Sequence, residues 1–167
     1  MITIKNNFLE NLFIENFIKN IVKESQEYKP IWKSNINWGK NIVKGSSLVL
    51  AYEINKEDLQ YIHSKFIELN NEFKQKEIVG HFYIWTRGSY IPLHNDSNYT
   101  HGCTIYLNKN WEIDWGGLYI WLDNDKINVE KPEYNKVVIN KGNIRHGTTL
   151  LNYNTPEERL TLQIFFK

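Results

Sequence analysis

Cysteine is nearly absent from this chain. Cys103 stands alone among 167 residues, which excludes an internal disulfide and any cysteine-rich zinc site. A reactive thiol is one reading of it; a small hydrophobe within a strand is the plainer one. Arginine is also scarce: Arg87, Arg145 and Arg159 stand against 17 lysines. In so lysine-rich a chain, each arginine needs a reason that a lysine could not supply, such as a planar fork of donors. No apolar run approaches the length of a membrane span. The opening Met1-Ile2-Thr3-Ile4-Lys5 has no basic stretch followed by an apolar core, so a secretory signal is not expected and a cytoplasmic protein is. An excess of either charge is missing too. With 20 basic and 19 acidic residues the net charge is +1, which gives no electrostatic case for nucleic acid or an anionic membrane. Internal repeats and low-complexity linkers are lacking, and 167 residues suffice for one sizeable core. The expectation is a single domain over 1–167, with helical support and a loop in 1–77 and a strand-rich core in 78–167.

Residues 2–5 read as a short edge strand. From about Glu10 to Glu24, Phe13, Ile14, Phe17, Ile18, Ile21 and Val22 recur at helical spacing, with Asn16, Lys19, Asn20 and Lys23 opposite. An internal core face is the default use of such a stripe; a partner-binding face is the alternative. Residues 29–45 place Pro30, Trp32, Trp38 and Gly39 among polar residues and read as a loop. Ser46 to Glu53 is strand-like. Asn55, with Asp58 three residues on, forms a loose capping box for a second helix with the stripe Leu59, Ile62, Phe66, Leu69 and Phe73. After Gly80 the pattern is strands: His81 to Thr86, His101 to Leu107, Leu118 to Leu122, Lys136 to Ile139, Ile144 to Thr148 and Arg159 to Phe166. Turn signals such as Gly88-Ser89, Gly116-Gly117 and Asp123-Asn124-Asp125 separate them. Two helices followed by many short strands predict an α+β, mainly β fold: an antiparallel sandwich or barrel braced by helices.

The chemistry gathers around Tyr90-Ile91-Pro92-Leu93-His94-Asn95-Asp96. In extended chain, residues i and i+2 point the same way, so His94 and Asp96 reach one ion together. His146, in Asn143-Ile144-Arg145-His146-Gly147, is the candidate third ligand from a neighbouring strand. Two imidazoles and a carboxylate on one face of an ion form the facial triad that suits non-haem Fe(II) and leaves positions open. On its own His-x-Asp is a weak signal, since most such residues are merely solvated. In the last strand, Leu160, Leu162, Ile164 and Phe166 alternate with Arg159, Thr161, Gln163 and Phe165. The second set is either a solvated outer face or the inside of a small barrel, where Arg159 grips a carboxylate and Thr161 adds a hydroxyl. Tyr106 shares a face with Thr104 and Asn108 and is placed to join them, or is an ordinary strand tyrosine. His101 is an alternative metal ligand but lacks the triplet. His63 and His81 read as ordinary. Arg145 points away from His146, while Arg87 is placed to line a substrate entrance.

Together, His94-x-Asp96, Cys103-Thr104-Ile105-Tyr106-Leu107-Asn108-Lys109-Asn110-Trp111, Gly116-Gly117-Leu118, His146-Gly147 and Arg159-x-Thr161 resemble the Fe(II)- and 2-oxoglutarate-dependent dioxygenases. The Tyr-Leu-Asn-Lys-x-Trp block before Gly-Gly is most similar to the prolyl 4-hydroxylase branch. The resemblance runs from about residue 78 to the C-terminus. It implies a double-stranded β-helix, or jelly roll, braced by N-terminal helices. It implies Fe(II) on His94, Asp96 and His146, and 2-oxoglutarate with its far carboxylate on Arg159, Tyr106 and Thr161. Tyr83 is the nearest candidate for the other end of that co-substrate, with Ile84 and Trp85 around the matching position. Ascorbate is the accessory cofactor expected of such enzymes. The carboxylate of Asp96 implies hydroxylation rather than halogenation. The implied reaction consumes O2, releases succinate and CO2, and hydroxylates a prolyl residue in a peptide or protein. A free amino acid, another small molecule or a nucleobase is the alternative substrate, and a non-catalytic jelly-roll binding protein the alternative class. The 29–45 loop sits where the family places a substrate-covering loop, which makes Trp32 and Trp38 substrate candidates beside Arg87.

Overall fold

A computed structural model describes residues 2–27, 33–34 and 49–167. In chain order it builds β1 (Ile2–Lys5), α1 (Asn11–Glu27), β2 (Lys33–Ser34), β3 (Val49–Glu53), α2 (Lys56–Leu69), β4 (Ile78–Trp85), β5 (Ile91–His94), β6 (His101–Tyr106), β7 (Tyr119–Asp123), β8 (Lys126–Glu130), β9 (Val137–Lys141), β10 (His146–Thr148) and β11 (Arg159–Phe166). All pairings are antiparallel. A seven-stranded sheet runs β1-β9-β6-β11-β4-β3-β2, and a four-stranded sheet runs β5-β10-β7-β8. This is the α+β, mainly β jelly roll expected from the motifs.

The two helices form where the apolar stripes predict them. Asn55 caps α2: its Oδ1 accepts from the Asp58 amide at 2.9 Å, and its Nδ2 donates to the Asp58 carboxylate at 2.7 Å. The first of these satisfies one amide that the first turn leaves unpaired. Ile14, Phe17 and Ile21 of α1 and Ile62 and Phe66 of α2 bury against Leu162, Ile164 and Phe166 of β11, Phe82 of β4 and Cys103 and Ile105 of β6. Fully burying each such side chain is worth about 1.5–3 kcal/mol, so this layer supplies much of the stabilisation. Cys103 is fully buried within it, and that burial pushes its thiol pKa well up, so it serves as a small hydrophobe. Among the described residues, no helix is long and apolar enough to cross a membrane.

With one face of the large sheet spent on the helices, strand alternation turns the other face toward the small sheet. Cross-strand register then sets its members. Arg159 stands beside Trp85, and Thr161 lies between Tyr83 and Tyr106. Gln163 lies between His81 and Thr104, whose hydroxyl donates to its side-chain oxygen at 2.9 Å. The open choice for β11 is therefore resolved: Arg159 and Thr161, 1% and 0% exposed, face the interior.

The strands expected at 2–5 and within 46–53 form as β1 and β3 and join the large sheet. Two further strands, β2 and β8, were not expected. Within the expected 29–45 loop, Lys33 and Ser34 pair with Ala51 and Leu50. β8 was not foreseen, although Lys126-Ile127-Asn128-Val129-Glu130 alternates polar and apolar at strand period; its Ile127 and Val129 are exposed. A two-residue hairpin joins it to β7, and Asn124 and Asp125 both take the positive φ of a type I′ turn, 48° and 61°. The rest of the 29–45 loop, including Trp32 and Trp38, lies outside the described residues.

Candidate active site

β5 ends at His94, and Asp96 follows where the chain turns, its amide donating to the Gly142 carbonyl at 2.8 Å. β10 pairs with β5 so that His146 stands directly opposite His94. Their imidazole centroids are 4.5 Å apart. His94, Asp96 and His146 each offer a ligand atom, and these atoms lie within 4.8 Å of one another. Among the described residues, this is the one group of three or more such side chains.

The protonation of the site follows from its hydrogen bonds. His94 Nδ1 lies 2.9 Å from the Pro92 carbonyl, and His146 Nδ1 lies 2.9 Å from the Ile144 carbonyl. A carbonyl only accepts, so both Nδ1 atoms carry a proton, and Nε2 is the atom each ring would offer to a metal. Burial first, then the neighbouring His146, pushes the His94 imidazole toward its neutral form; the Pro92 carbonyl and Asp96 oppose them. The Asp96 oxygens face those nitrogens, Oδ1 at 3.7 Å from His94 Nε2 and Oδ2 at 3.4 Å from His146 Nε2. Asp96 Oδ2 is buried with no hydrogen-bond partner. Two imidazole nitrogens and a carboxylate so placed can close on one cation. The donor set fits a divalent ion with open positions, with both imidazoles oriented by carbonyls behind them.

Two further residues shape this corner. Tyr119 stacks on His146 at 5.5 Å and 15°, and its hydroxyl donates to Asn140 Oδ1 at 3.0 Å. A Cβ on Gly102 would lie 2.5 Å from Asp96 Oδ2, so only glycine leaves room for the carboxylate. A Gly102→Ala protein should therefore keep its fold at a cost of about 1–3 kcal/mol. It should lose roughly 10–100-fold in divalent-metal affinity, the range for disturbed ligand support, as read by titration calorimetry. Unchanged affinity would show that Asp96 does not need that space.

Deeper in the sandwich sits a second polar cluster. The Arg159 guanidinium carbon lies 4.9 Å from the Trp85 ring centroid and 5.0 Å from that of Tyr106. Arg159 Nε and Nη1 and the Tyr106 hydroxyl are buried without hydrogen-bond partners. Burial lowers the arginine's pKa while Tyr106 opposes it; burial raises the Tyr106 pKa while Arg159 opposes it. A guanidinium this deep, met by two aromatic rings but by no carboxylate among the described residues, is costly to bury, so the cluster fits an anion. Thr161 accepts from Trp85 Nε1 at 3.1 Å, which leaves its own hydroxyl proton to donate. Gly117, at φ 62°, gives way to Arg159: a Cβ there would lie 2.9 Å from the arginine Cδ. Tyr106 and Tyr119 share one buried cluster with Val138, so packed rings connect the anion corner to His146. Tyr83 is buried on the same inner face, its pKa raised by burial and by Asp96, whereas Ile84 packs with the helix-side core.

The remaining candidates stand apart. His101 packs its ring on Phe73 at 5.1 Å and its Nδ1 lies 3.0 Å from Lys76 Nζ, on the helix side of the sheet. His63 contacts the Phe73 carbonyl at 2.8 Å. Arg87 donates to the carbonyls of Thr155 and Pro156 at 2.7 and 3.0 Å, which ties it to the loop before β11. Arg145 is exposed. Sequence reading missed Gly102, Tyr119 and Asn140, and it named Trp85 without its place beside Arg159, which register sets.

No family profile and no curated protein matches this chain. Solved structures do match its fold. A prolyl-4-hydroxylase from Pseudomonas putida superimposes over 99% of this chain and 91% of its own, with a TM-score of 0.76 at 16% identity. A Trichoplax adhaerens prolyl hydroxylase, solved with a hypoxia inducible factor oxygen degradation domain peptide, covers 99% and 82%, with a TM-score of 0.75 at 17% identity. A viral collagen prolyl hydroxylase from Paramecium Bursaria Chlorella virus-1, solved as a 2OG complex, covers 99% and 94%, with a TM-score of 0.69 at 13% identity. The chain shares their fold from end to end.

Proposed function

We propose that this chain is an Fe(II)- and 2-oxoglutarate-dependent oxygenase that hydroxylates a prolyl residue in a peptide or protein. One observation carries the reading: a His-Asp-His cluster suited to an open-sided metal shares its sandwich interior with a buried arginine that meets no carboxylate among the described residues. A simple binding protein has no use for that pairing. His94, Asp96 and His146 would hold the iron, their imidazoles fixed by the Pro92 and Ile144 carbonyls. Arg159, Tyr106 and Thr161 would hold the distal carboxylate of 2-oxoglutarate and exclude water around it. Tyr83 borders the same space and stays a protonated donor, because burial and Asp96 disfavour its phenolate. When bound, iron and 2-oxoglutarate supply the oxidising chemistry, with O2 consumed and succinate and CO2 released. The protein positions the parts. The prolyl assignment draws its support from the neighbours, which are prolyl hydroxylases, one of them in complex with a peptide. Cytoplasmic placement belongs to the same proposal.

The test is an incubation with Fe(II), 2-oxoglutarate, O2 and ascorbate over a panel of proline-containing peptides, free amino acids and nucleobases. The expected result is iron-dependent succinate and a gain of one oxygen on a peptide proline. Oxygen gained only by a small molecule would replace the substrate and keep the chemistry. Absence of succinate from loaded, folded protein would overturn the reading.

A further inference from the structure

We propose that β8 is the contact edge of a reversible two-fold dimer, in which the strand pairs antiparallel with β8 of a second copy. Among the described residues β8 pairs with β7 alone and forms one end of the four-stranded sheet. The opposite end of that sheet, β5, is protected. It contains Pro92, which has no amide to donate, and its pairing is irregular between His146 and Thr148. Those are the usual ways to blunt an edge. β8 has neither: five consecutive residues pair with β7 without a break, and there is no proline.

The hairpin decides which backbone groups are open. Asp123 and Lys126 flank the two-residue turn, so they form a hydrogen-bonded pair. Antiparallel alternation then turns the amides and carbonyls of Lys126, Asn128 and Glu130 toward β7, and those of Ile127 and Val129 outward. The same two residues carry exposed apolar side chains, 63% and 51% accessible.

The occupant follows from the strand's own order. Reversed against itself about Asn128, Lys-Ile-Asn-Val-Glu is its own complement. Ile127 meets the partner's Val129 as a hydrogen-bonded pair with apolar contact, and Lys126 meets the partner's Glu130 with opposite charge. Glu130 is shared with Lys136 within its own chain. The backbone pairing and the apolar contact are therefore the larger part of the fit. A two-fold contact needs a patch that complements itself, and this strand supplies one. Two short edges bury less than the roughly 1,200 Å² of a standard interface, so the dimer should be weak and concentration-dependent.

The test combines sedimentation velocity with residue-resolved amide exchange across a concentration series. The average mass should climb from the 20.0 kDa protomer toward twice that value. Exchange at Ile127 and Val129 should slow with concentration, while Lys126, Asn128 and Glu130 stay unchanged. Val129→Pro removes an outward amide that β7 does not use, and Ile127→Lys leaves the backbone intact and charges the edge. Both should stay monomeric over the same range. A wild type that remains at protomer mass throughout, or an Ile127→Lys protein that associates as the wild type does, overturns the proposal. So does concentration-dependent protection confined to another segment.

Discussion

A His146→Ala protein should fold and fail to bind iron. His146 is 5% exposed and stacks on Tyr119, so its truncation leaves a small void at a strand end, costing about 1–3 kcal/mol. The loss in metal affinity should be larger. Even residues that only orient a ligand cost about 10–100-fold when removed, so loss of the ligand itself should exceed about 100-fold. Asp96→Ala separates function from stability more sharply. In the metal-free protein the Asp96 oxygens stand 3.7 and 3.4 Å from two imidazole nitrogens, beyond good hydrogen-bond length, and Oδ2 is buried without a hydrogen-bond partner. Removing it should leave the apoprotein's melting temperature unchanged or higher, while abolishing the rise that metal brings. At a free Mn(II) concentration about 100 times Kd, that rise corresponds to about 2.7 kcal/mol in the wild type. The measurement is thermal unfolding with and without Mn(II), alongside iron-dependent succinate release. If Asp96→Ala still gains full stability from metal, the ion sits elsewhere. If His146→Ala keeps turnover while His101→Ala loses it, the third ligand is wrong, although His101 lies on the helix side of the sheet.

Much of this architecture could be read from residue order. The capping box at Asn55 and Asp58 and the helical stripes placed both helices, because caps and 3.6-residue periodicity act locally. The β11 alternation placed its two faces for a similar reason. It could not say whether the Arg159 face met water or an interior, since that depends on a second sheet closing over it. The candidate metal-binding pair was legible because His-x-Asp is a local pattern, but a third group for it had to be chosen among distant histidines. Cross-strand register makes that choice by setting His146 opposite His94. Gly102 illustrates what stays hidden. Nothing in His101-Gly102-Cys103 signals that a side chain there would strike Asp96, because the contact exists only after β6 is threaded beside the triplet. β8, by contrast, was legible but unread: Lys126 to Glu130 alternates polar and apolar, though its apolar residues stay exposed.

Arg159→Met should raise the stability of the empty protein and nearly abolish its response to 2-oxoglutarate. The methionine chain fills part of the space between Trp85 and Tyr106 without a charge. The arginine it replaces is 1% exposed, and two of its three nitrogens are buried without a partner. Exchanging such a charge for an apolar side chain is neutral or stabilising by about 1–4 kcal/mol. The same charge is what an incoming carboxylate needs. Losing it from a desolvated pocket should cost about 2–5 kcal/mol, or roughly 30- to 5,000-fold in the 2-oxoglutarate requirement. Tyr106→Phe removes one neutral donor from the same corner and should cost about 1 kcal/mol, some fivefold. The experiment measures unfolding of the Mn(II)-loaded proteins with and without 2-oxoglutarate, then the KM for succinate release. A gain in stability without ligand, paired with loss of the ligand-induced shift, would mark Arg159 as a cation kept for its anion at the expense of the fold. A destabilised Arg159→Met protein that binds 2-oxoglutarate as well as the wild type would make the arginine a packing residue and move the co-substrate's carboxylate to another part of the interior.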